Sequence, residues 1–315
     1  MQKYKKIALW LFLMNCCVNS MILFAAEEAC SSPESEECLS SSCCFFPLGE
    51  FSLYHTTGKG PGYRCGYTTL QLDAAFYKGE AAFQPFTDLR VHLFNNGKWA
   101  ANAGIGGRYF TDCEEIVIGT NIYYDFREGH HHGDYHQIGV GAELLSPLWD
   151  LRINGYFPIA KRTHKREIYF IDNEGDLIGF SSNKERALGG FDVELGTYLW
   201  RKDPCRCFDF DLYAGVGPYY FLYHSRKNVI GAEMRLAATF LEYFRIEVIG
   251  SSDSVFHGNV QGRFEFRIPF GGGVSSSCCE DACDCCIQPF FPVERRDIIM
   301  LKSRCHGEVA ECCCE

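Results

Sequence analysis

Beyond residue 26 the sequence has no long apolar run. No later stretch approaches the roughly 20 consecutive apolar residues that a membrane helix needs. The chain also lacks a positive charge balance, because 30 Lys and Arg face 40 Asp and Glu, a formal net charge of −10. Phosphate binding needs a basic surface, so no nucleic-acid partner is expected. If this chain crosses a membrane, it must do so with strands.

The N-terminus has a composition of its own. A basic start is followed by a mainly apolar stretch over residues 7–26 that ends in two alanines. This order is typical of a secretory signal peptide, predicted over residues 1–26. The alternative is an anchoring helix, since the apolar stretch is long for a signal. Residues 27–64 are rich in Ser, Glu and Cys with little periodicity, and we interpret them as a periplasmic linker.

Catalytic and metal-binding patterns are scarce. No Ser/His/Asp grouping stands out, so we predict no enzymatic activity. His130, His131, His132 and His136 could bind a metal, but no carboxylate or cysteine at ligand spacing accompanies them. A solvated loop is the favoured interpretation, and the sequence predicts no metal site and no other cofactor.

Cysteine is abundant and unevenly placed. Two of the 19 lie in the predicted signal peptide, which leaves an odd number in the exported chain. An exported chain favours disulfides over a zinc cluster, and an odd count leaves at least one thiol free or bonded to another molecule. We therefore expect disulfide-linked envelope proteins as possible partners, as in the cross-linked envelopes of chlamydia-like bacteria, which this composition resembles. The disulfide candidates are Cys278, Cys279, Cys283, Cys285, Cys286, Cys312, Cys313 and Cys314.

Alternation of polar and apolar residues dominates the middle of the chain. In residues 148–158, Asp150, Arg152 and Asn154 fall on one side, and Leu151 and Ile153 fall on the other. Such alternation predicts strands with one polar and one apolar face. The candidate strands are 66–77, 86–95, 100–110, 115–127, 135–145, 148–158, 187–200, 208–222, 229–241, 243–256 and 260–270.

The predicted fold is all-β, an antiparallel transmembrane β-barrel over residues 65–271 with a Cys-rich tail over 272–315. Bacterial single-chain barrels have even strand numbers, so the eleven candidates predict twelve strands. The missing strand is expected within residues 166–180, unless one long candidate splits in two. A soluble sandwich is the alternative fold.

The polar faces would line the lumen and the apolar faces would contact lipid, where a charge at the midplane costs about 2–4 kcal/mol. The acids outnumber the arginines, so the lumen would attract cations or a basic peptide segment. The predicted lumen residues are Asp88, Arg90, His92, Arg108, Glu115, Asp125, Glu143, Asp150, Arg152, Asp192, Glu194, Asp209, Asp211, Glu233, Arg235, Arg245, Glu247, Arg263, Glu265 and Arg267.

Three consecutive motifs resemble a known family. Asn121-Ile-Tyr-Tyr-Asp-Phe126 ends in an aromatic–Asp pattern, His136-Gln-Ile-Gly-Val-Gly-Ala-Glu143 carries Gly-x-Gly-Ala-Glu, and Leu151-Arg-Ile-Asn-Gly-Tyr-Phe-Pro158 carries Asn-x-Tyr-x-Pro. In this order and spacing they resemble the β-domain of inverse autotransporters, the intimin and invasin family. Pro292-Val-Glu-Arg-Arg-Asp-Ile-Ile299 resembles the family's Val-x-Arg motif, where the chain enters the pore.

The resemblance implies a 12-stranded barrel in the bacterial outer membrane with the following chain threaded outward through the lumen. Its expected partners are outer-membrane lipid and the barrel-assembly machinery. Because the sequence stops at Glu315, we expect no large surface passenger. We hypothesise that residues 290–304 occupy the acidic lumen through Val293, Arg295, Arg296, Lys302 and Arg304. The predicted role is structural or surface interaction, and the alternative is an open porin-like channel for small solutes.

Overall fold

The structure, a computed structural model, describes residues 49–76, 82–111, 116–129, 133–146, 148–171, 177–200, 210–223, 228–240, 243–270 and 292–307. The strands in this part of the chain are β1 (Gly49–Gly58), β2 (Tyr67–Ala75), β3 (Phe83–Phe94), β4 (Trp99–Phe110), β5 (Val117–Glu128), β6 (Asp134–Leu145), β7 (Trp149–Ile159), β8 (Thr163–Ile171), β9 (Leu177–Ala187), β10 (Gly189–Trp200), β11 (Phe210–Leu222), β12 (Val229–Phe240), β13 (Phe244–Asp253), β14 (His257–Phe270) and β15 (Leu301–Gly307).

Twelve of these strands close into one antiparallel barrel. Its order is β1-β14-β13-β12-β11-β10-β7-β6-β5-β4-β3-β2, and β1 pairs with both β2 and β14. A closed sheet leaves no edge strand with unpaired backbone groups, which is the condition for crossing lipid with strands. The predicted twelve-stranded barrel is confirmed, and the soluble sandwich is wrong.

The two faces of each strand have opposite environments. Along β3, Asp88, Arg90 and His92 point inward and are at most 4% exposed. Leu89 and Val91 alternate with them and are 46% and 53% exposed. The same period of two runs around the barrel, so its outer surface is a band of exposed apolar side chains. Among the described residues, no helix is long and apolar enough to cross a membrane.

Two sequence predictions about the strands are wrong. The twelfth strand is β1, Gly49–Gly58, which lies in the predicted linker over residues 27–64, so the barrel begins at Gly49. Residues 166–180 do not supply a barrel strand. The described residues of this range, 166–171 and 177–180, fall in β8 and β9, which pair with each other outside the barrel while β7 pairs directly with β10. Closure through β1 and β14 joins segments about 200 residues apart, and local periodicity carries no signal for such a pairing.

The barrel has two distinct ends. Gly49 and Phe270, its first and last residues, pair with each other at what we call the closing end. At the opposite end, the exit end, the chain between β7 and β10 forms the β8–β9 hairpin. Strand β15 pairs with β9 to complete a three-stranded sheet, β15-β9-β8, which we call the rim sheet. The chain therefore passes from the closing end, after β14, to the exit end, at β15.

Candidate functional site

The lumen wall is polar, charged and shielded from solvent. Asp88, Asp125 and His92 are 0% exposed, although they face the inside of the barrel. The predicted lumen residues Glu115 and Asp209 lie outside the described residues. Half-buried members of the predicted set are Asp192, Glu194, Asp211, Glu233, Arg263 and Arg267. Buried members are Asp88, Arg90, His92, Arg108, Asp125, Glu143, Asp150, Arg152, Arg235, Arg245, Glu247 and Glu265.

Residues 292–300, which we call the plug segment, provide this shielding. They form no strand or helix and run along the inside of the barrel. Val293 packs with Ala75 and Phe86, near the closing end. Met300 packs with Leu188 and Val229, at the exit end. The segment therefore spans the lumen from one end to the other.

Glu294 is the first charged residue of the plug segment. Its carboxylate contacts Arg235 of β12 and lies 2.8 Å from a guanidinium nitrogen of Arg245 on β13. Both arginines belong to the predicted lumen set. A plug-segment acid is therefore paired with lumen-wall cations.

Arg295 makes the opposite kind of contact. Its two terminal nitrogens donate to the two oxygens of Asp125 at 2.8 and 2.6 Å. Both side chains are at most 2% exposed. The guanidinium also lies 4.1 Å from the ring centre of Tyr123 and 5.6 Å from that of Tyr156, within cation–π range. A paired and stacked guanidinium is held in one orientation, which suits arginine better than lysine.

Arg296 points to another side of the lumen. It lies 3.3 Å from Asp192 and 2.9 Å from Glu233. The Tyr156 hydroxyl accepts a hydrogen bond from the Arg296 backbone N–H at 2.8 Å. The ring of Tyr219 lies 4.4 Å from the guanidinium carbon. Two consecutive arginines thus reach acids on different strands.

Asp297 completes the charged run. Its carboxylate accepts hydrogen bonds from the Tyr54 hydroxyl at 3.0 Å and from Arg90. The Asp297 carbonyl accepts from the Asn102 amide at 2.8 Å. Arg90 also donates to the Val293 carbonyl at 2.8 Å, so one wall arginine contacts the last residue of the charged run and the residue just before its first.

The last three plug residues are apolar and fill the exit end. Ile298 packs with Tyr54 and Phe94, and Ile299 packs with Tyr135. Arg127 of β5 donates to the Ile299 carbonyl and, at 3.1 Å, to the carbonyl of Gly62 in the loop after β1. The loop is thereby tied to the end of the plug segment.

Tyr63 supports this tie beside Gly62. Its hydroxyl accepts a hydrogen bond from the Gln261 amide at 2.6 Å. Burial raises the pKa of the Tyr63 phenol well above its ordinary value, so the phenol stays neutral and keeps its proton. A neutral phenol places no further charge beside Arg127.

The sequence hypothesis for the threading segment needs two corrections. Lys302 and Arg304 do not lie among the lumen side chains, because both belong to β15 of the rim sheet, where Arg304 is exposed. Complementarity also runs in both directions, since Glu294 and Asp297 pair with wall arginines. The hypothesis considered only the cations of the segment against the net charge of the wall. The mixed run Glu-Arg-Arg-Asp is the signal that could have revealed the acids.

The candidate metal ligands and the disulfide candidates stand apart from the lumen contacts or outside the described residues. Among the described residues, no group of His, Cys, Asp and Glu could hold a metal ion. His136 lies on the outer face and its ring nitrogen lies 2.6 Å from the Tyr124 hydroxyl. The other three histidines of the predicted loop and all the disulfide candidates fall outside the described residues.

Comparison with known proteins identifies the barrel. Residues 75–202 match the family model "Inverse autotransporter, beta-domain". A chain solved in work on in-meso crystallization of membrane proteins is 18% identical, with a TM-score of 0.53 over 81% of this chain and 100% of that chain. At this identity the likeness shows the fold alone. The comparison with curated proteins gave no match.

Other barrels of bacterial outer membranes show weaker likeness. An outer membrane channel from Pseudomonas putida is 9% identical, with a TM-score of 0.46 over 75% of this chain and 100% of that one. The β-domain of a Bordetella autotransporter is 10% identical, with a TM-score of 0.35 over 71% and 100%. The three sequence motifs that resemble the inverse autotransporters all lie within the matched residues. The predicted family resemblance and the predicted location in the bacterial outer membrane are confirmed. Residues 75–202 of this chain thus match an inverse autotransporter β-domain, and they form part of a twelve-stranded barrel of the bacterial outer membrane.

Proposed function

We propose that this protein is an outer-membrane barrel closed by its own plug segment, with a structural or surface-interaction role. The observation that carries the proposal is the pairing of four consecutive charges, Glu294 to Asp297, with wall side chains of opposite sign. Each pair is buried or half-buried, so removal of the plug segment would leave several wall charges without their partners at once. Removing one partner of a buried ion pair costs about 3–5 kcal/mol.

The porin-like alternative requires the plug segment to leave the lumen. In a water-filled channel, wall carboxylates such as Asp88 and Asp125 would contact solvent. Their complete burial therefore favours a closed lumen. The balanced signs of the plug residues also favour a fixed position, because each residue has a distinct set of partners.

The two ends of the barrel differ in a way that supports one orientation of the barrel in the membrane. Outer-membrane barrels have short periplasmic turns and longer extracellular loops. The longest connection between neighbouring barrel strands that the structure describes, between β7 and β10, lies at the exit end, and both barrel termini lie at the closing end. We place the exit end outside the cell, so the rim sheet is the surface offered to partners. The expected absence of a large passenger stays a prediction.

Conductance in a planar lipid bilayer tests the closure. The intact protein should pass almost no current, and deletion of residues 288–315 should give a steady open channel. Deletion of 308–315 alone is the matched control, since it keeps the plug segment and should remain closed. Equal conductance of the intact protein and the longer deletion would overturn the proposal and leave the porin alternative.

The cysteine-rich parts support a second, separate proposal of cross-linking to other envelope proteins. It rests on the odd number of cysteines outside the predicted signal peptide. Non-reducing gels of isolated envelopes test it, because cross-linking predicts high-mass bands that disappear on reduction. Migration only as a monomer would remove this proposal without affecting closure of the barrel.

A further inference from the structure

The rim sheet carries like charges in register across all three strands. Lys165 of β8 pairs with Lys184 of β9, and Lys184 pairs with Arg304 of β15. Directly opposite residues share a face, so the three cations form one row. All three are exposed.

A second row lies beside the first, toward the barrel. Arg186 and Lys302 are directly opposite each other on the same face, and both are half-buried. The Lys302 ammonium lies 3.5 Å from the Val255 carbonyl and 4.8 Å from the ring centre of Phe256. This row is anchored at the barrel rim, while the outer row faces solvent.

Like charges placed directly opposite each other destabilise a sheet. Among the residues whose side chains the structure describes on this face, Glu167 of β8 is the acid, two positions along from Lys165. The described side chains of this face therefore carry five positive charges and one negative charge. An anionic ligand spanning the rows would remove the repulsion and gain from each cation.

The outer row begins beside the barrel rim. Tyr135 of β6 donates a hydrogen bond to Glu185 at 3.3 Å, and Lys184 is the next residue of β9 away from the barrel. Glu185 is buried whereas Lys184 is exposed, so the outer row is open to a ligand from solvent.

We propose that this face of the rim sheet binds an acidic polysaccharide, one with carboxylate or sulfate groups repeating along its chain. Neighbouring strands lie about 4.8 Å apart, so the row presents cations at short, regular intervals that suit a linear polyanion. The proposal rests on the exit end facing outward and names the partner class for the surface role proposed above.

Binding of the purified full-length protein to immobilised heparin and polygalacturonate, with neutral dextran as blank, tests this proposal. Replacing Lys165 and Lys184 by Gln should weaken binding about tenfold or more, as expected for two lost cation contacts. The matched control replaces Lys59 and Lys98 by Gln, because these two cations lie at the same end of the barrel but outside the rim sheet. Its affinity for the polysaccharide should stay within about twofold of that of the parent. Lys184→Arg keeps the charge and should keep the affinity.

Several outcomes would overturn the proposal. These are equal binding by both double variants, binding to dextran, or equally effective competition by phosphatidylglycerol vesicles or by double-stranded DNA. Unchanged circular dichroism and heat-modifiable migration on gels establish that each variant is folded. Blocked conductance without polysaccharide binding would remove this inference and leave the closed barrel, whereas an open channel that binds polysaccharide would do the reverse.

Discussion

Replacement of Arg295 by Met gives the sharpest test of how the plug segment is held. Met keeps much of the side-chain length but removes the charge and both hydrogen bonds to Asp125, which are 2.8 and 2.6 Å long. Because both partners are at most 2% exposed, the change leaves a buried carboxylate without its counter-charge. Such a loss costs about 3–5 kcal/mol.

This cost applies to the closed state alone, since water can solvate Asp125 once the segment leaves. At about 1.4 kcal/mol per factor of ten, the ratio of open to closed molecules should rise by about two to three and a half orders of magnitude. Single-channel recording measures this ratio as the fraction of time spent open. Arg295→Lys, which keeps the charge without the two-pronged geometry, should fall between parent and Met variant.

Arg304→Met is the matched control, because it removes the same side chain from an exposed position on β15. It should leave the open fraction unchanged. Adding Asp125→Asn to Arg295→Met removes the carboxylate that has lost its counter-charge, and should recover part of the closed population. An Arg295→Met variant as closed as the parent would refute the view that this pair holds the plug segment.

Three further predictions concern the plug, its loop and the lipid face. Glu294→Lys places a third cation beside two wall arginines, so trypsin should cut within the plug segment of the variant while the parent resists. Gly62→Ala should lower the thermal unfolding midpoint more than Gly97→Ala. Both glycines have positive φ, but a Cβ at Gly62 would lie 2.7 Å from a backbone nitrogen of β15, whereas nothing lies within 4 Å of one at Gly97. Met234→Arg, at a lipid-facing position that is 64% exposed, should lower the free energy of unfolding by about 2–4 kcal/mol, measured by urea unfolding from lipid vesicles. Leu148→Arg, in the turn between β6 and β7, should lower it by only about 0–1 kcal/mol. Equal losses in the two variants would contradict a bilayer around β12.

The sequence predicts those strands of the barrel that carry a local pattern of polar and apolar residues. Eleven strands were predictable because each carries its own alternation of polar and apolar residues, imposed by lipid outside and charge inside. Strand β1 has weaker alternation, with Phe51 and Leu53 followed outward by His55, and neutral Ser52 and Thr56 inward. Its place is fixed by pairing with β14, which a local pattern cannot encode.

The plug segment was predictable only in part, for an electrostatic reason. A net acidic wall correctly suggested partners for Arg295 and Arg296. The net charge of the wall gave no indication that Glu294 and Asp297 would pair with arginines, because it does not contain the positions of the individual arginines. The strand that follows Met300 was also not predictable, because β15 is defined by its pairing with β9 and not by a pattern of its own.

Photo-crosslinking from position 298 tests most directly whether the chain runs through the barrel. Ile298 packs with Tyr54, Tyr67, Phe94 and Ala100 on four neighbouring strands. A photoreactive amino acid placed there in intact cells should, after irradiation and digestion, join the plug segment to peptides of β1, β2, β3 and β4 from the same chain. Crosslinks only to other proteins or to lipid, with none to these strands, would contradict passage of the chain through the lumen.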